Sequence, residues 1–230
     1  MSEDAPIPGS AAAASRPRRF AEMFVLFIVL PLAVHFSGTT AYLPILWLFA
    51  VSIFIAARRD PTFPRRTLWN RRALPDHWKP IVTRFLILAP LILLVTWWLT
   101  PELLFRLPRE KPLLYCMILF GYPWVSVLPQ GVIYRAFFLH RYGPLFPRAG
   151  TRFIVAAFCF GFLHIIFENP VAIGVTLVGG WLFTRTHERS QSLFVSSVEH
   201  AMYGLWLMTS GWGAFLYPGS ARNAMEILFG

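Results

Sequence analysis

Residues 81–100 read IVTRFLILAPLILLVTWWLT, an almost unbroken run of apolar side chains. A membrane-spanning helix needs about 20 mostly apolar residues to cross a hydrocarbon core of roughly 30 Å. The stretch therefore predicts a transmembrane helix. The Trp97–Trp98 pair near its end is typical of the belt where lipid tails meet headgroups.

The composition of the whole chain agrees with a membrane protein. Of its 230 residues, 56% are hydrophobic, 17% aromatic and only 14% charged, whereas a soluble domain carries about 25% charged residues. The formal net charge of +10 does not indicate a nucleic-acid binder, because the basic residues lie between apolar segments rather than in one patch. We therefore expect the lipid bilayer, and no nucleic acid, as a partner of the chain.

Seven apolar stretches predict an all-α fold, a polytopic transmembrane helix bundle of about seven spans. The predicted spans are 20–36, 41–57, 81–100, 112–128 continuing as a helix to 140, 152–168, 170–184 and 192–217. Residues 1–19 are rich in Ala, Ser, Pro and Gly and predict a disordered cytoplasmic tail. Residues 20–217 then form the transmembrane domain, and residues 218–230 a C-terminal tail.

The distribution of Lys and Arg predicts the orientation of these spans. Basic residues are concentrated before the first span and after the second, fourth and sixth, and the positive-inside rule places those connections in the cytoplasm. The connection 101–111 fits this rule poorly, because it is predicted to lie outside and contains Arg106, Arg109 and Lys111. We expect a multi-pass protein of a bacterial inner or plasma membrane with a cytoplasmic N-terminus.

Several polar side chains lie inside the apolar stretches, where a charge costs at least about 2.5 kcal/mol and therefore needs a partner or a function. These residues are Gln130, Arg135, His164, Glu168, Glu199 and His200. They come from three different predicted helices, and packing of a helix bundle can bring them to one interior pocket.

Two of these residues suggest a metal site. The imidazoles of His164 and His200, together with a carboxylate or an amide, are suitable ligands for a divalent metal such as zinc with its bound water. The alternative is that each histidine only makes a hydrogen bond between helices. The presence of an arginine and two glutamates in the same helices favours a functional site over that alternative.

Three short patterns, in this order, resemble the CPBP family of intramembrane endopeptidases, which includes CAAX prenyl proteases and bacteriocin-processing or self-immunity proteins. The first family pattern is Glu-Glu-x-x-x-Arg, and Arg135 matches its last position. The second is Phe-x-x-x-His, which Phe160 and His164 match. The third is His-x-x-x-Asn or Asp, and His200 matches its first position. The resemblance covers about residues 112–210. It implies an intramembrane metallo-endopeptidase that cleaves membrane-embedded or lipidated peptides and proteins with an activated water. In such an enzyme His164 and His200 hold a divalent metal, zinc in this reading, or stabilise the oxyanion.

The chain departs from the family patterns at three positions. Gln130 and Gly131 stand where the family has its paired glutamates, and Gly204 stands where the third pattern ends. A glutamine amide can orient a water molecule, but it has no basic site near neutral pH. The chain therefore lacks the family's general base at this place.

Two other carboxylates are candidates for that base. Glu168 lies one turn beyond His164. The alternative to a catalytic role is that it belongs to a short turn at the outer interface. Glu199 directly precedes His200. The alternative to a catalytic role is that it forms a salt bridge to Arg135. The candidate catalytic residues are thus Gln130, Arg135, His164, Glu199 and His200.

Two further functions remain open from the sequence. The first is a catalytically impaired family member that acts as a membrane binding or immunity protein. The second is a small transporter whose intramembrane charges line a pathway. The absence of paired discontinuous helices and of an internal repeat in the sequence counts against the transporter.

Overall fold

The computed structural model describes the backbone of residues 8–229 and the side chains of residues 16–217 and 221–229, and its regular elements are all helical. The main helices are α1 (8–36), α2 (Tyr42–Arg59), α3 (Leu74–Leu99), α4 (Pro112–Leu145), α5 (Ala149–Leu163), α6 (Pro170–Ser190), α7 (Leu193–Ser210) and α8 (Pro218–Phe229). A short helix, Arg106–Glu110, lies in the connection between α3 and α4.

Five helical segments of the described chain are long and apolar enough, by length and composition, to cross a membrane. They are Arg16–Phe36, Tyr42–Arg59, Arg71–Leu99, Pro112–Leu145 and Ala149–Phe167. Helices α6 and α7, with 21 and 18 residues, bring the number of long helices to seven. The predicted all-α bundle of about seven spans is therefore confirmed.

The ends of several elements differ from the prediction. Helix α1 begins at Pro8, so residues 8–19, predicted as part of a disordered tail, are helical, while residues 1–7 lie outside the described residues. Residues 218–229, predicted as a tail, form α8. Helix α7 ends at Ser210 rather than at 217, because Gly211 takes a left-handed φ of 113° that side chains disfavour.

Helix α4 is not regular along its length, and this irregularity positions the site. Two π-helical turns interrupt it, at Pro123–Val127 and at Val132–Phe137. Such turns insert an extra residue into a helix and often occur at functional sites. The second turn contains Arg135, which is buried in the bundle.

Small residues allow α5 and α6 to approach closely. An added Cβ at Gly161 would lie 2.7 Å from Leu177, and one at Gly180 would lie 3.0 Å from the Cα of Ala157. Helix α7 packs beside this pair, and Trp206 of α7 donates its indole N–H to the carbonyl of Ala89 in α3 at 2.9 Å. The three sequence patterns therefore meet where α4, α5, α6 and α7 adjoin.

Candidate functional site

Arg135 is almost completely buried, with 2% of its surface exposed. Its NH1 atom lies 3.2 Å from Nδ1 of His200, and its NH2 atom lies 3.5 Å from both the Val127 carbonyl and the Ser197 hydroxyl. A guanidinium can only donate hydrogen bonds. The three neighbours therefore act as acceptors, and Arg135 links α4 to α7.

The hydrogen bonds of His200 define its tautomer. Because Arg135 donates to Nδ1, a neutral imidazole carries its proton on Nε2, which faces the Tyr122 hydroxyl at 3.3 Å. The ring of Phe183 stacks on the imidazole with 4.4 Å between ring centroids. Arg135, His200 and Tyr122 thus form a hydrogen-bond chain that leaves the hydroxyl proton of Tyr122 free to donate further.

His164 lies at the end of α5, where the helix tightens into a 3₁₀ turn, His164–Phe167. Its Nδ1 donates to the carbonyl of Phe160 at 2.8 Å, so Nε2 keeps a lone pair for another partner. The ring of Phe160 contacts both imidazoles, with centroid distances of 4.9 Å to His164 and 5.6 Å to His200. The structure therefore brings Arg135, His164 and His200 into one buried cluster from α4, α5 and α7.

At two of the three positions that depart from the family patterns, neighbouring side chains occupy the space of the missing side chain. An added Cβ at Gly131 would lie 2.5 Å from NH2 of Arg135, and one at Gly204 would overlap the Tyr122 hydroxyl and lie 2.5 Å from its Cζ. Gln130 is buried and donates its amide N–H to Ser126 at 3.0 Å. The guanidinium of Arg135 therefore occupies the space beside Gly131, and the phenol of Tyr122 occupies the space beside Gly204.

We predict that Gly204→Ala destabilises the protein by about 1–3 kcal/mol, as expected when a methyl group is forced into a packed site. The matched control is Gly174→Ala in α6, where nothing lies within 4 Å of an added Cβ; alanine in a helix interior is about 0.5–1 kcal/mol better than glycine. Unfolding in detergent micelles measures both variants. Equal stability of the two variants would contradict the close contact between Gly204 and Tyr122.

Glu199 lies outside this cluster, although it is the neighbour of His200. Its Oε1 accepts two hydrogen bonds from Arg84 of α3, at 2.6 and 3.2 Å, and Arg84 also donates to Thr186 at 3.1 Å. Glu199 therefore forms a salt bridge, the alternative to a catalytic role, but its partner is Arg84 and not Arg135. Successive residues of an α-helix point about 100° apart, so a His200 that faces Arg135 turns Glu199 towards α3.

Glu168 does not join the cluster either. It follows the 3₁₀ turn with a left-handed φ of 57°, its side chain is 70% exposed, and its carboxylate lies 3.9 Å from Nδ1 of His35. This arrangement agrees with the alternative of a short turn at the end of the helix. No carboxylate of the described residues therefore makes a hydrogen bond to His164 or His200.

Sequence reasoning missed Arg84 and Tyr122. Arg84 carried a signal, because it is the one charged residue in the apolar run 81–100. An isolated charge at membrane depth requires a partner, and Glu199 was available. Tyr122 carried no comparable signal, because it is uncharged and no sequence pattern connects it to His200.

The donors at the cluster do not fit a zinc ion. Zinc sites in proteins use three or four protein ligands, whereas this cluster offers two imidazoles, and both ring nitrogens of His200 already have partners. Among the described residues there is no group of three or more His, Cys, Asp or Glu side chains placed to hold a metal ion. The divalent metal expected from the sequence stays a prediction.

The fold and the cluster together define a polytopic helical membrane protein with polar residues from three helices meeting in its interior. Residues 111–206, which run from the start of α4 into α7, match the family model described as Rce1-like, type II CAAX prenyl endopeptidase. The match confirms the resemblance to the CPBP endopeptidases that the three sequence patterns predicted. Comparison with curated proteins and with solved structures gives no match.

Proposed function

We propose that this protein binds membrane-embedded or lipidated peptides at the cluster of Arg135, His164 and His200, and that it is a catalytically impaired relative of the Rce1-like endopeptidases. One observation carries this proposal: no described carboxylate is bonded to the cluster, and the two carboxylates nearest in sequence, Glu168 and Glu199, have other surroundings. Without a base to activate water, peptide hydrolysis loses about 10²–10⁴ in rate.

The cluster retains groups that suit recognition of a peptide bond. The hydroxyl proton of Tyr122, at the end of the chain from Arg135 through His200, can donate to a peptide carbonyl oxygen. The free Nε2 of His164 can accept from a peptide N–H. Fixed hydrogen-bond partners in a site shielded from water hold a peptide group more strongly than they would in water.

Binding of a fluorescent membrane peptide to the protein in nanodiscs tests this proposal. We expect Tyr122→Phe to weaken binding about tenfold, the equivalent of one hydrogen bond of roughly 1.4 kcal/mol, and His164→Ala to weaken it at least as much. The matched control is Tyr115→Phe, which removes a hydroxyl of the same helix that is bonded to Thr209 at 2.8 Å. Unchanged binding in both site variants would contradict the proposal.

An endopeptidase that uses its own imidazole as the base is the second candidate, and it agrees more directly with the peptidase family. The observation that favours it is the lone pair on Nε2 of His164, which can take a proton from a water molecule. The Arg135–His200–Tyr122 chain would then stabilise the negative charge that develops on the carbonyl oxygen. Turnover by the native chain separates the two candidates.

A further inference from the structure

Residues 58–79, which are the connection between α2 and α3 together with the adjoining ends of both helices, present a basic surface at the end of the bundle. Residues 58–79 contain seven Lys or Arg and two Asp, and their formal net charge is therefore +5. The seven basic side chains are all exposed, and none has a carboxylate partner among the described residues. They are Arg58, Arg59, Arg65, Arg66, Arg71, Arg72 and Lys79.

The two acidic residues do not neutralise this surface. Asp60 accepts hydrogen bonds from His140 at 2.9 Å and from Thr62 at 2.7 and 2.8 Å. The bond from His140 and the bonds from Thr62 hold the pKa of the Asp60 carboxyl well below its usual range. Asp60 therefore bonds to His140 and Thr62 rather than to the basic side chains of this surface. Asp76 lies in the first turn of α3.

The position of this connection in the chain indicates that it lies near the membrane surface. It joins two segments that are apolar enough to span the bilayer, so its charges cannot be far from the lipid headgroups. Trp69 and Trp78 are both nearly half exposed, as is typical of side chains at the interface. The guanidinium of Arg71 packs over the rings of Trp69 and Phe194, at 5.2 and 5.6 Å from their centroids.

The same connection contacts both helices that supply the chain from Arg135 to His200. Towards α4, Asp60 bonds to His140, and the ring of Phe63 packs against His140 at 5.1 Å. Towards α7, the Asn70 carbonyl accepts a hydrogen bond from Ser192, whose hydroxyl also caps the first turn of α7. A ligand that holds the connection in place therefore also restrains α4 relative to α7.

We propose that residues 58–79 bind the headgroups of anionic phospholipids in the surrounding membrane, and that this binding stabilises the packing of α4 against α7. The charge complementarity identifies the occupant, because clusters of Lys and Arg next to a transmembrane helix attract anionic lipids over distances of about one Debye length. The inference does not depend on whether the cluster binds or cleaves peptides.

Thermal unfolding in nanodiscs tests the inference, with phosphatidylcholine alone compared with an equal mixture of phosphatidylcholine and phosphatidylglycerol. We expect the mixture to raise the unfolding midpoint of the native protein by at least about 2–4 °C. The test variant combines Arg59→Gln, Arg66→Gln, Arg72→Gln and Lys79→Gln. These four side chains make no hydrogen bond or ion pair among the described residues, so their replacement removes charge without removing a contact. The rise should fall to less than half in this variant.

The control variant combines Arg106→Gln with Lys111→Gln, in the connection at the other end of α3, and should keep the full rise. A native protein without any rise, a test variant with the full rise, or an equal loss in the control would each overturn the inference. Should the test variant fail to fold in phosphatidylcholine, the native protein decides the question. Molar salt must then remove its rise, because screening shortens the range of surface charges to about 3 Å, and a rise that persists would overturn the inference.

Discussion

Restoring the family's two glutamates, with Gln130→Glu and Gly131→Glu together, is expected to raise cleavage of a bound membrane peptide by about 10²–10⁴, the usual contribution of a positioned general base. Both positions lie on α4 beside Arg135. A Cβ at position 131 would meet the far ends of two side chains, NH2 of Arg135 at 2.5 Å and Cδ1 of Leu193 at 2.8 Å. Both ends can shift, and the guanidinium can pair with the new carboxylate. Cleavage in proteoliposomes, followed by mass spectrometry, measures the gain.

The control for this variant is Gly131→Ala, which places a methyl group in the same space without a carboxylate. It should give no increase in cleavage. Peptide binding measured on each variant shows that the site is still folded. A double variant that binds the peptide and leaves it uncleaved would contradict the assignment of positions 130 and 131 to the family's glutamates. An equal gain from Gly131→Ala would show that packing, and not a base, limits the native chain.

Breaking the ion pair between Arg84 and Glu199 is expected to have the largest effect on stability. Glu199 is fully buried, and one of its oxygens, Oε2, has no partner among the described residues. Arg84→Met would leave this carboxylate buried and unpaired, which costs about 3–5 kcal/mol. Reversible unfolding in lipid bicelles measures the loss, and the double variant Arg84→Met with Glu199→Leu should recover most of it because no unpaired charge remains.

The matched comparison is the exposed ion pair between Arg106 and Glu110, one turn apart with side chains 45% and 54% exposed. Removing it with Arg106→Gln should cost less than about 1 kcal/mol, as for other surface pairs. If Arg84→Met costs no more than Arg106→Gln, Glu199 does not depend on Arg84. Glu199 would then again be a candidate for the missing base.

The helices and the identity of the central polar residues could be predicted from the sequence, because both follow from the rarity of charge in apolar segments. Residues 81–100 predicted α3, which the structure extends back to Leu74. The three patterns placed Arg135, His164 and His200 on separate helices, and these are the residues that meet in the interior. The segment matched by the family model contains all three.

The partners of these residues could not be predicted, because they depend on helix rotation and on local irregularity. Glu199 and His200 are adjacent in sequence, yet one faces Arg84 and the other Arg135. Tyr122, which contacts His200, directly precedes a π-helical turn that no residue pattern of the sequence marked. Helix α7 is shorter than predicted because of the backbone conformation of Gly211, which hydropathy does not register.

Hydrolysis by the native chain in heavy-oxygen water tests most directly the claim that the cluster binds peptides without cleaving them. Hydrolysis would place the heavy oxygen in the new carboxyl group of the product, where mass spectrometry detects it. The proposal predicts that the native protein binds the membrane peptide and yields no more labelled product than His164→Ala. Labelled product that the native protein forms and His164→Ala does not would contradict it.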